Sequence, residues 1–187
     1  MPFVAEPLLQ LVQAARRHDV HAWDTLLQQH QLPLFAFAME LVRHREAALD
    51  IVQETFAGAV RHLGSLRDDA KFKSWLFGIA HQKCLQHFRK TLRRAAVFAE
   101  TDELVDEALD PTAGDPRDLL LREEETSAFF ALVERLPLAQ RETLLLHVLE
   151  DFSLAEIAEI SGVPVGTVKS RLFHAKGALR QLVEASR

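Results

Sequence analysis

Residues 153–182 carry two helical patterns separated by a short turn, and this segment constrains the fold more than any other part of the chain. Ser153 and Glu156 have the spacing of a capping box, which predicts that a helix begins there. Gly162 suits the left-handed position that ends a helix, and Pro164 suits the first turn of the helix that follows. The spacing therefore predicts a helix-turn-helix.

The second helix of this unit has two different faces. Val165, Val168 and Leu172 recur at helical spacing and are expected to pack inward. The remaining positions carry hydrogen-bond donors and positive charge, at Thr167, Lys169, Ser170, Arg171 and His174. Such a face suits the DNA major groove. Small three-helix packing units show the same pattern without binding DNA, and that alternative stays open.

The composition favours a folded, all-α protein. Of the 187 residues 48% are hydrophobic, and the chain has only seven glycines, seven prolines and one cysteine. With no signal peptide and no apolar run that could span a bilayer, we expect a cytoplasmic protein without stable membrane insertion. No phosphate-binding glycine loop, paired metal motif or nucleophile signature occurs, so we expect neither an enzyme nor a cofactor.

The net charge of −5 conceals an asymmetry along the chain. Residues 95–126 contain 11 acidic and 2 basic side chains, whereas residues 1–94 contain 9 acidic and 13 basic ones. The acidic segment also contains Asp110-Pro111 and Asp115-Pro116, which disfavour helix. It predicts a flexible acidic linker at 96–117 between a helical bundle at 1–95 and the helix-turn-helix domain at 118–187. A passive tether and an electrostatic role both remain open for this linker.

The apolar periodicity predicts four helices in the N-terminal domain. They lie near 7–17, from 19 onward with a pause at Pro33, at 46–63 and at 72–94. The expected core includes Val20, Leu27, Val60 and Trp75. These helices describe a compact bundle.

Two regions of this bundle carry more polar and charged side chains than packing of the helices requires. One is a stripe on the third helix that holds Asp50, Gln53 and Glu54, for which a solvated helix face is the default interpretation. The other is residues 71–94, which carry seven Lys/Arg and no acidic residue, with aromatic side chains between them. Because a cationic surface attracts phosphates and aromatic faces accept unstacked bases, this region favours nucleic-acid binding over a plain solvated surface.

His81, Cys84 and His87 are spaced three residues apart in the same region. Imidazole and thiolate are zinc ligands, and a reactive thiolate senses oxidants. A closed site needs a fourth ligand, however, and positions six apart on a helix point roughly 120° away from each other. We therefore interpret them as polar surface or DNA-facing residues and expect no metal.

Three strings lie in a fixed order around the acidic segment. They are ALDIVQETF (48–56), FKSWLFGIAHQKCLQHFRK (72–90) and LPLAQRETLLLHVLEDFSLAEIAEISGVPVGTVKSRLFHAKGALR (136–180). In this order, residues 19–94 and 118–187 resemble the two conserved domains of the extracytoplasmic-function (ECF, group IV) sigma factors of bacterial RNA polymerase. The resemblance implies a protein that binds core RNA polymerase and promoter DNA, drives transcription initiation and is held inactive by an anti-sigma factor.

Carried over position by position, the resemblance assigns roles to single residues. Polymerase docking falls to Asp50, Gln53 and Glu54. The loop from Gly64 to Lys73 matches the part that captures a flipped minus-ten base. Contacts with the melted minus-ten strand fall to Lys71, Phe72, Lys73, Lys83, Arg89, Lys90 and Arg93. The minus-thirty-five element falls to Thr167, Lys169, Ser170, Arg171, Phe173 and His174, and the linker is expected to thread toward the polymerase active centre.

The chain departs from the usual family pattern at Leu49, His81, Gln82, Gln86 and His174, which obscures the promoter sequence that it reads. One alternative is a stand-alone helix-turn-helix transcription regulator of the response-regulator output type. A receiver domain would need alternating strands and helices in the first half, which shows only helical periods. A second alternative is a sigma mimic that binds only an anti-sigma factor, against which the basic residues of 71–94 argue.

Overall fold

The computed structural model describes residues 5–98 and 128–185, and within these two ranges it contains helices and turns but no strand. The helices are α1 (Ala5–Arg16), α2 (Val20–Val42), α3 (Arg45–His62), α4 (Phe72–Phe98), α5 (Leu138–Glu150), α6 (Leu154–Ser161) and α7 (Val165–Ala185). Short 3-10 turns at Leu63–Ser65 and Asp69–Lys71 connect α3 to α4, and residues 128–134 are also helical. The predicted all-α class is confirmed, and a strand-containing receiver domain in the described first half is excluded.

The long helix α2 shows which local signals hold and which fail. It begins at Asp19, whose carboxylate accepts hydrogen bonds from the backbone N–H groups of His21 and Ala22. It then passes through Pro33 without interruption, so the predicted pause there is wrong. Proline removes one backbone hydrogen bond, but buried side chains on both sides of it, including Leu26 and Leu34, hold the two halves against one core.

Large apolar side chains from α2 and α4 form the centre of the N-terminal bundle. Leu26, Phe37, Leu76 and Phe77 are fully buried, along with smaller residues of α1 and α3. Burial of one such side chain stabilises a fold by about 1.5–3 kcal/mol.

Several residues expected in the core lie outside it. Val20 and Val60 are 68% and 55% exposed, Leu27 is exposed, and Trp75 is half-buried. Leu27 and Val60 each follow a fully buried residue and therefore point about 100° away from the core. Val165, expected to pack inward, is also exposed because it is the first residue of α7.

The predicted helix-turn-helix is confirmed in α6 and α7. The Ser153 hydroxyl accepts a hydrogen bond from the backbone N–H of Glu156, and the Glu156 carboxylate accepts one from the backbone N–H of Ser153. Gly162 ends α6 with a φ of +67°, in the region where a side chain is strained. The turn therefore depends on this glycine.

The two helical groups pack directly against each other. Helix α2 contacts α5, and α4 contacts α6. The rings of Phe77 and Phe152 meet edge to face with their centroids 5.1 Å apart. Helix α4 runs to Phe98, so residues 96–98 of the predicted linker are helical, and the rest of that linker lies outside the described residues.

His30 is a buried titratable residue in this bundle. Its ring lies on α2, 5.6 Å from the ring of Phe72. Burial, with a smaller contribution from the nearby Lys73, lowers the pKa of His30 from 6.5 to about 4. The unfolded chain therefore takes up a proton on this imidazole at higher pH than the folded one does. The free energy of unfolding falls as the pH drops through that window.

We expect His30→Leu to lose less stability than the wild type between pH 6.5 and pH 4, because the variant has no imidazole to protonate on unfolding. Urea denaturation at a series of pH values measures this. His21→Leu, on the exposed side of the same helix, is the matched control and should lose as much stability as the wild type between pH 6.5 and pH 4. An acid-side loss in His30→Leu equal to that of the wild type would contradict the assignment.

Candidate nucleic-acid interface

Helix α7 presents most of the predicted DNA-reading residues on one exposed face. Lys169, Ser170, Phe173 and His174 are exposed, and Phe173 has 75% of its surface accessible. The opposite side, with Val168 and the residues in register with it, is buried. An exposed ring suits the methyl group of thymine, and a cation suits acceptors on guanine. Thr167 is half-buried near the helix start.

Arg171 does not share this exposed face. Its Nη1 donates a hydrogen bond to Oε1 of Glu142 on α5, over 3.1 Å. The other oxygen of Glu142 lies 2.9 Å from Nε2 of His81 on α4, and both of these side chains are buried. Arg171 therefore holds the recognition helix against α5, and with its side chain 23% exposed its predicted contact with DNA stays a prediction. Sequence reasoning missed Glu142 and the contact of His81 with it, because neither lies near Arg171 in the chain.

The basic side chains at the start of α4 contact the C-terminal domain. Lys71 Nζ donates to Oε1 of Glu159 over 2.7 Å, and this hydrogen bond raises the pKa of Lys71. Lys73 Nζ donates to the backbone carbonyl of Glu150 over 3.0 Å and lies 3.0 Å from its carboxylate. It also lies 4.9 Å from the centre of the Phe152 ring. Two cations that are predicted to hold DNA phosphates are thus paired with carboxylates here.

Phe72 is fully buried, which corrects its predicted place on the minus-ten surface. Its ring lies between those of His30 and Trp75, at centroid distances of 5.6 and 6.0 Å. The helical period turns Phe72 toward the core while its neighbours Lys71 and Lys73 face outward. Phe72 therefore packs against the Trp75 ring from the side of the core.

A cavity of about 680 Å³ opens beside the loop that connects α3 to α4. Trp75 and Ile79 give it aromatic and apolar walls, and Lys71 and Lys83 give it positive charge. Glu159 and Ile160 of α6 close one side. A ring beside cations is the environment that accepts an unstacked base, and the cavity adjoins the loop from Gly64 to Lys73 that the sequence singled out.

The polar stripe on α3 lies next to the basic surface of α4. Asp50, Gln53 and Glu54 are all exposed. Lys83 Nζ donates to Oε2 of Glu54 over 2.7 Å, and this hydrogen bond lowers the pKa of Glu54. A cleft of about 350 Å³ lies between the two helices, and Glu54, Lys83 and Lys90 all line it. The structure therefore joins two surfaces that the sequence treated separately. Farther along α4, Arg89 and Arg93 are exposed, as is Lys90.

The three-residue spacing of His81, Cys84 and His87 does not assemble an accessible site. The interpretation of His81 and Cys84 as surface or DNA-facing residues is wrong, because both side chains are buried in the bundle. Cys84 is fully buried, and its burial raises the pKa of the thiol to about 12. A protonated, enclosed thiol is suited neither to zinc nor to oxidant sensing. Within residues 5–98 and 128–185, no group of three or more His, Cys, Asp or Glu residues is placed to hold a metal ion. In the same part of the chain, no helix is long and apolar enough to cross a bilayer.

Both halves of the chain match known protein families. A family profile described as Sigma-70 region 2 matches residues 26–94, and one described as Sigma-70, region 4 matches residues 127–179. The RNA polymerase sigma-H factor of Pseudomonas aeruginosa is 33% identical over 180 residues, which cover 94% of this chain and 93% of that protein. The ECF RNA polymerase sigma-E factor of Escherichia coli K12 is 31% identical over 179 residues, which cover 93% of each.

Solved structures are similar over most of the chain. The sigma factor RpoE from Bartonella quintana, in complex with the anti-sigma factor NepR, superposes with a TM-score of 0.67 at 28% identity, over 87% of this chain and 99% of that one. CnrH, in complex with the cytosolic domain of CnrY, has a TM-score of 0.69 at 22% identity, over 96% of this chain and 99% of that one. At this lower identity, the similarity to CnrH is a similarity of fold alone.

We expect Glu142→Gln to lower the free energy of unfolding by about 1–3 kcal/mol, because a buried carboxylate that serves two partners is replaced by a neutral group. Glu159→Gln, which breaks the exposed pair with Lys71, should change stability much less. Urea denaturation of both variants at neutral pH gives the comparison. Equal losses in the two variants would show that the buried network has no special weight.

Proposed function

The chain belongs to the extracytoplasmic-function sigma factors of bacterial RNA polymerase, and we propose that its two helical domains hold separate DNA surfaces that act at successive steps of initiation. As a sigma factor it binds core RNA polymerase, recognises promoter DNA and drives transcription initiation. It is a DNA-recognition regulator. We propose further that it has no catalytic activity of its own and works in the cytoplasm, where its polymerase is.

The assignment of separate DNA surfaces to the two domains rests on the contrast between these surfaces. Helix α7 offers an exposed face with donors, a cation and the Phe173 ring, which suits the edges of paired bases in the minus-thirty-five element. The cavity at Trp75, with Lys71 and Lys83 at its rim, suits a base that has left the duplex in the minus-ten element. Arg89, Lys90 and Arg93 extend the positive surface along α4 for the phosphate backbone.

The described arrangement is an inactive one. Lys71 and Lys73 are paired with Glu159 and Glu150, and Ile160 closes one side of the cavity. The two domains must therefore separate before the minus-ten surface can take up DNA. By analogy with the relative that was solved with the anti-sigma factor NepR, an anti-sigma factor holds this protein inactive.

The acidic linker has a place in the same scheme. Its 11 acidic and 2 basic side chains over residues 95–126 give it the charge of a nucleic-acid strand. Such a segment suits a polymerase channel that is lined for phosphate. Residues 99–127 lie outside the described part of the chain, so the proposal for the linker rests on its sequence.

Run-off transcription tests the function directly. Core polymerase, the full-length protein and DNA from upstream of its own gene should give a defined transcript that core polymerase alone does not produce. Binding to an anti-sigma factor without any transcript, and without affinity for core polymerase, would favour a sigma mimic instead. A predicted anti-sigma factor encoded beside the gene should suppress the transcript when added first.

We expect Lys169→Ala to weaken complex formation at a duplex promoter by roughly 5- to 150-fold, since one good base contact discriminates by about 1–3 kcal/mol. The same variant should transcribe nearly normally from a pre-melted template that lacks the minus-thirty-five element. Arg180→Ala is the matched control, because it removes an exposed cation about 16 Å farther along α7. Equal loss on both templates would show that the start of α7 does not read upstream DNA.

Charge reversal on α3 tests the polymerase interface. We propose that Asp50, Gln53 and Glu54 dock on core polymerase, and Asp50→Lys with Gln53→Lys should weaken core binding by about 2 kcal/mol or more, roughly 30-fold, because the contact is desolvated. Glu54 is left unchanged because it also holds Lys83. Asp24→Lys with Gln28→Lys changes the charge equally, at two exposed positions of α2, and should bind normally. Affinity for core polymerase is measured by titration, with circular dichroism to verify folding.

A further inference from the structure

Arg16, at the end of α1, holds the loop between α3 and α4 at three points. Its Nη1 donates to the backbone carbonyl of Leu63 over 3.1 Å, and its Nη2 donates to the carbonyl of Leu66. Nε and Nη2 both donate to Oδ1 of Asp69, over 3.0 and 2.7 Å. A planar guanidinium presents donors on three nitrogens in one fixed fork, whereas the three donors of an ammonium group sit on a single nitrogen that rotates freely.

The loop that Arg16 holds has little other anchorage. Of residues 64–70, only Leu66 is buried. The carboxylate of Asp68 accepts a hydrogen bond from the backbone N–H of Ala70, but this contact is internal to the loop. The acceptors of Arg16 lie 47 to 53 residues away from it in sequence. The guanidinium thus ties a mostly exposed loop to a helix that is distant in the chain.

This loop is the wall between two cavities. Leu66, Arg67 and Asp68 line the cavity of about 680 Å³ that also contains Trp75. The same three residues line a cleft of about 570 Å³ on the other side, where Arg16 lies. A restraint applied to the loop from the side of Arg16 is therefore a restraint on one wall of the cavity at Trp75.

We propose that Arg16 is a positioning residue for the capture of an unstacked minus-ten base. The inference rests on the proposed function of the cavity at Trp75 and adds a residue to it. Helix α1 lies outside the part of the chain that the Sigma-70 region 2 profile matches, which begins at residue 26. Arg16 does not touch the base. It holds Leu66, Arg67 and Asp68 in place as one wall of the cavity at Trp75, so that binding does not have to order the loop.

The test combines one change in the protein with one change in the DNA, as in a double-mutant cycle. Holoenzyme made from core polymerase and full-length protein is bound to pre-melted promoter DNA from upstream of the gene. A series of probes carries an abasic site at each minus-ten position of the non-template strand in turn. In the wild type, the abasic site at the captured position should reduce affinity by roughly 5- to 150-fold. On intact DNA, Arg16→Gln should bind more weakly than the wild type by most of that factor. On the probe that is abasic at the captured position, the variant and the wild type should bind almost equally.

Three further variants separate positioning from general structure. Arg17→Gln removes the same charge from the exposed neighbouring position and should behave as the wild type. Arg16→Lys keeps the charge without the fork and should behave nearly as Arg16→Gln does. Asp69→Asn leaves the two carbonyl contacts in place and should show a smaller loss of the same kind. Affinity for core polymerase should remain at the wild-type level in all of them.

Two results would overturn the proposal, and they are distinguishable. If Arg16→Gln weakens binding to the intact and abasic probes by the same factor, or to neither, Arg16 does not act through the captured base. If no abasic position weakens binding of the wild type, the cavity does not capture a base, and the proposed function of this surface fails together with the role of Arg16.

Discussion

The arrangement of the described helices depends on one buried carboxylate. Glu142 on α5 bonds Arg171 on α7 with one oxygen and contacts His81 on α4 with the other. A carboxylate that is removed from water needs such partners, because an unpaired buried charge costs several kcal/mol. The same group therefore fixes the recognition helix within its domain and one point of the contact between domains. When the domains separate, Glu142 loses His81 but keeps Arg171, so the carboxylate still has one partner within the C-terminal domain.

The rest of the domain contact includes ion pairs between the two domains. Arg43, Lys71 and Lys73 of the N-terminal domain face Glu134, Glu159 and Glu150 of the C-terminal domain. The first two pairs lie near the surface, where ion pairs contribute little to stability and are screened by salt, whereas the Glu150 side chain of the third is largely buried. The contact between Phe77 and Phe152 adds an apolar part. The closed arrangement is thus specific in geometry, and its exposed ion pairs are interactions that a competing ligand can replace.

The sequence predicted those features whose signals are local. The capping box at Ser153 and the left-handed turn at Gly162 involve residues within a few positions of each other, and both were found correctly. Phe72 was misplaced and the contact of Arg171 with Glu142 was missed, because the surroundings of both residues are formed by helices distant in the chain. The basic and aromatic run at 71–94 was treated as one surface. The helical period separates it, since Phe72 and Phe77 enter the core while the cations remain outside.

The start of α4 explains why the two states exclude each other. Lys71 and Lys73 lie at the positive end of a helix dipole, next to the half-buried ring of Trp75. Any anion is favoured there, whether a carboxylate or a phosphate. In the closed arrangement Glu159 and Glu150 take these positions, and in the proposed open state the minus-ten backbone takes them. Because opening exchanges one set of anions for another, neither state leaves the cations at the start of α4 without partners. A modest binding energy from polymerase and DNA is then enough to decide between the two states.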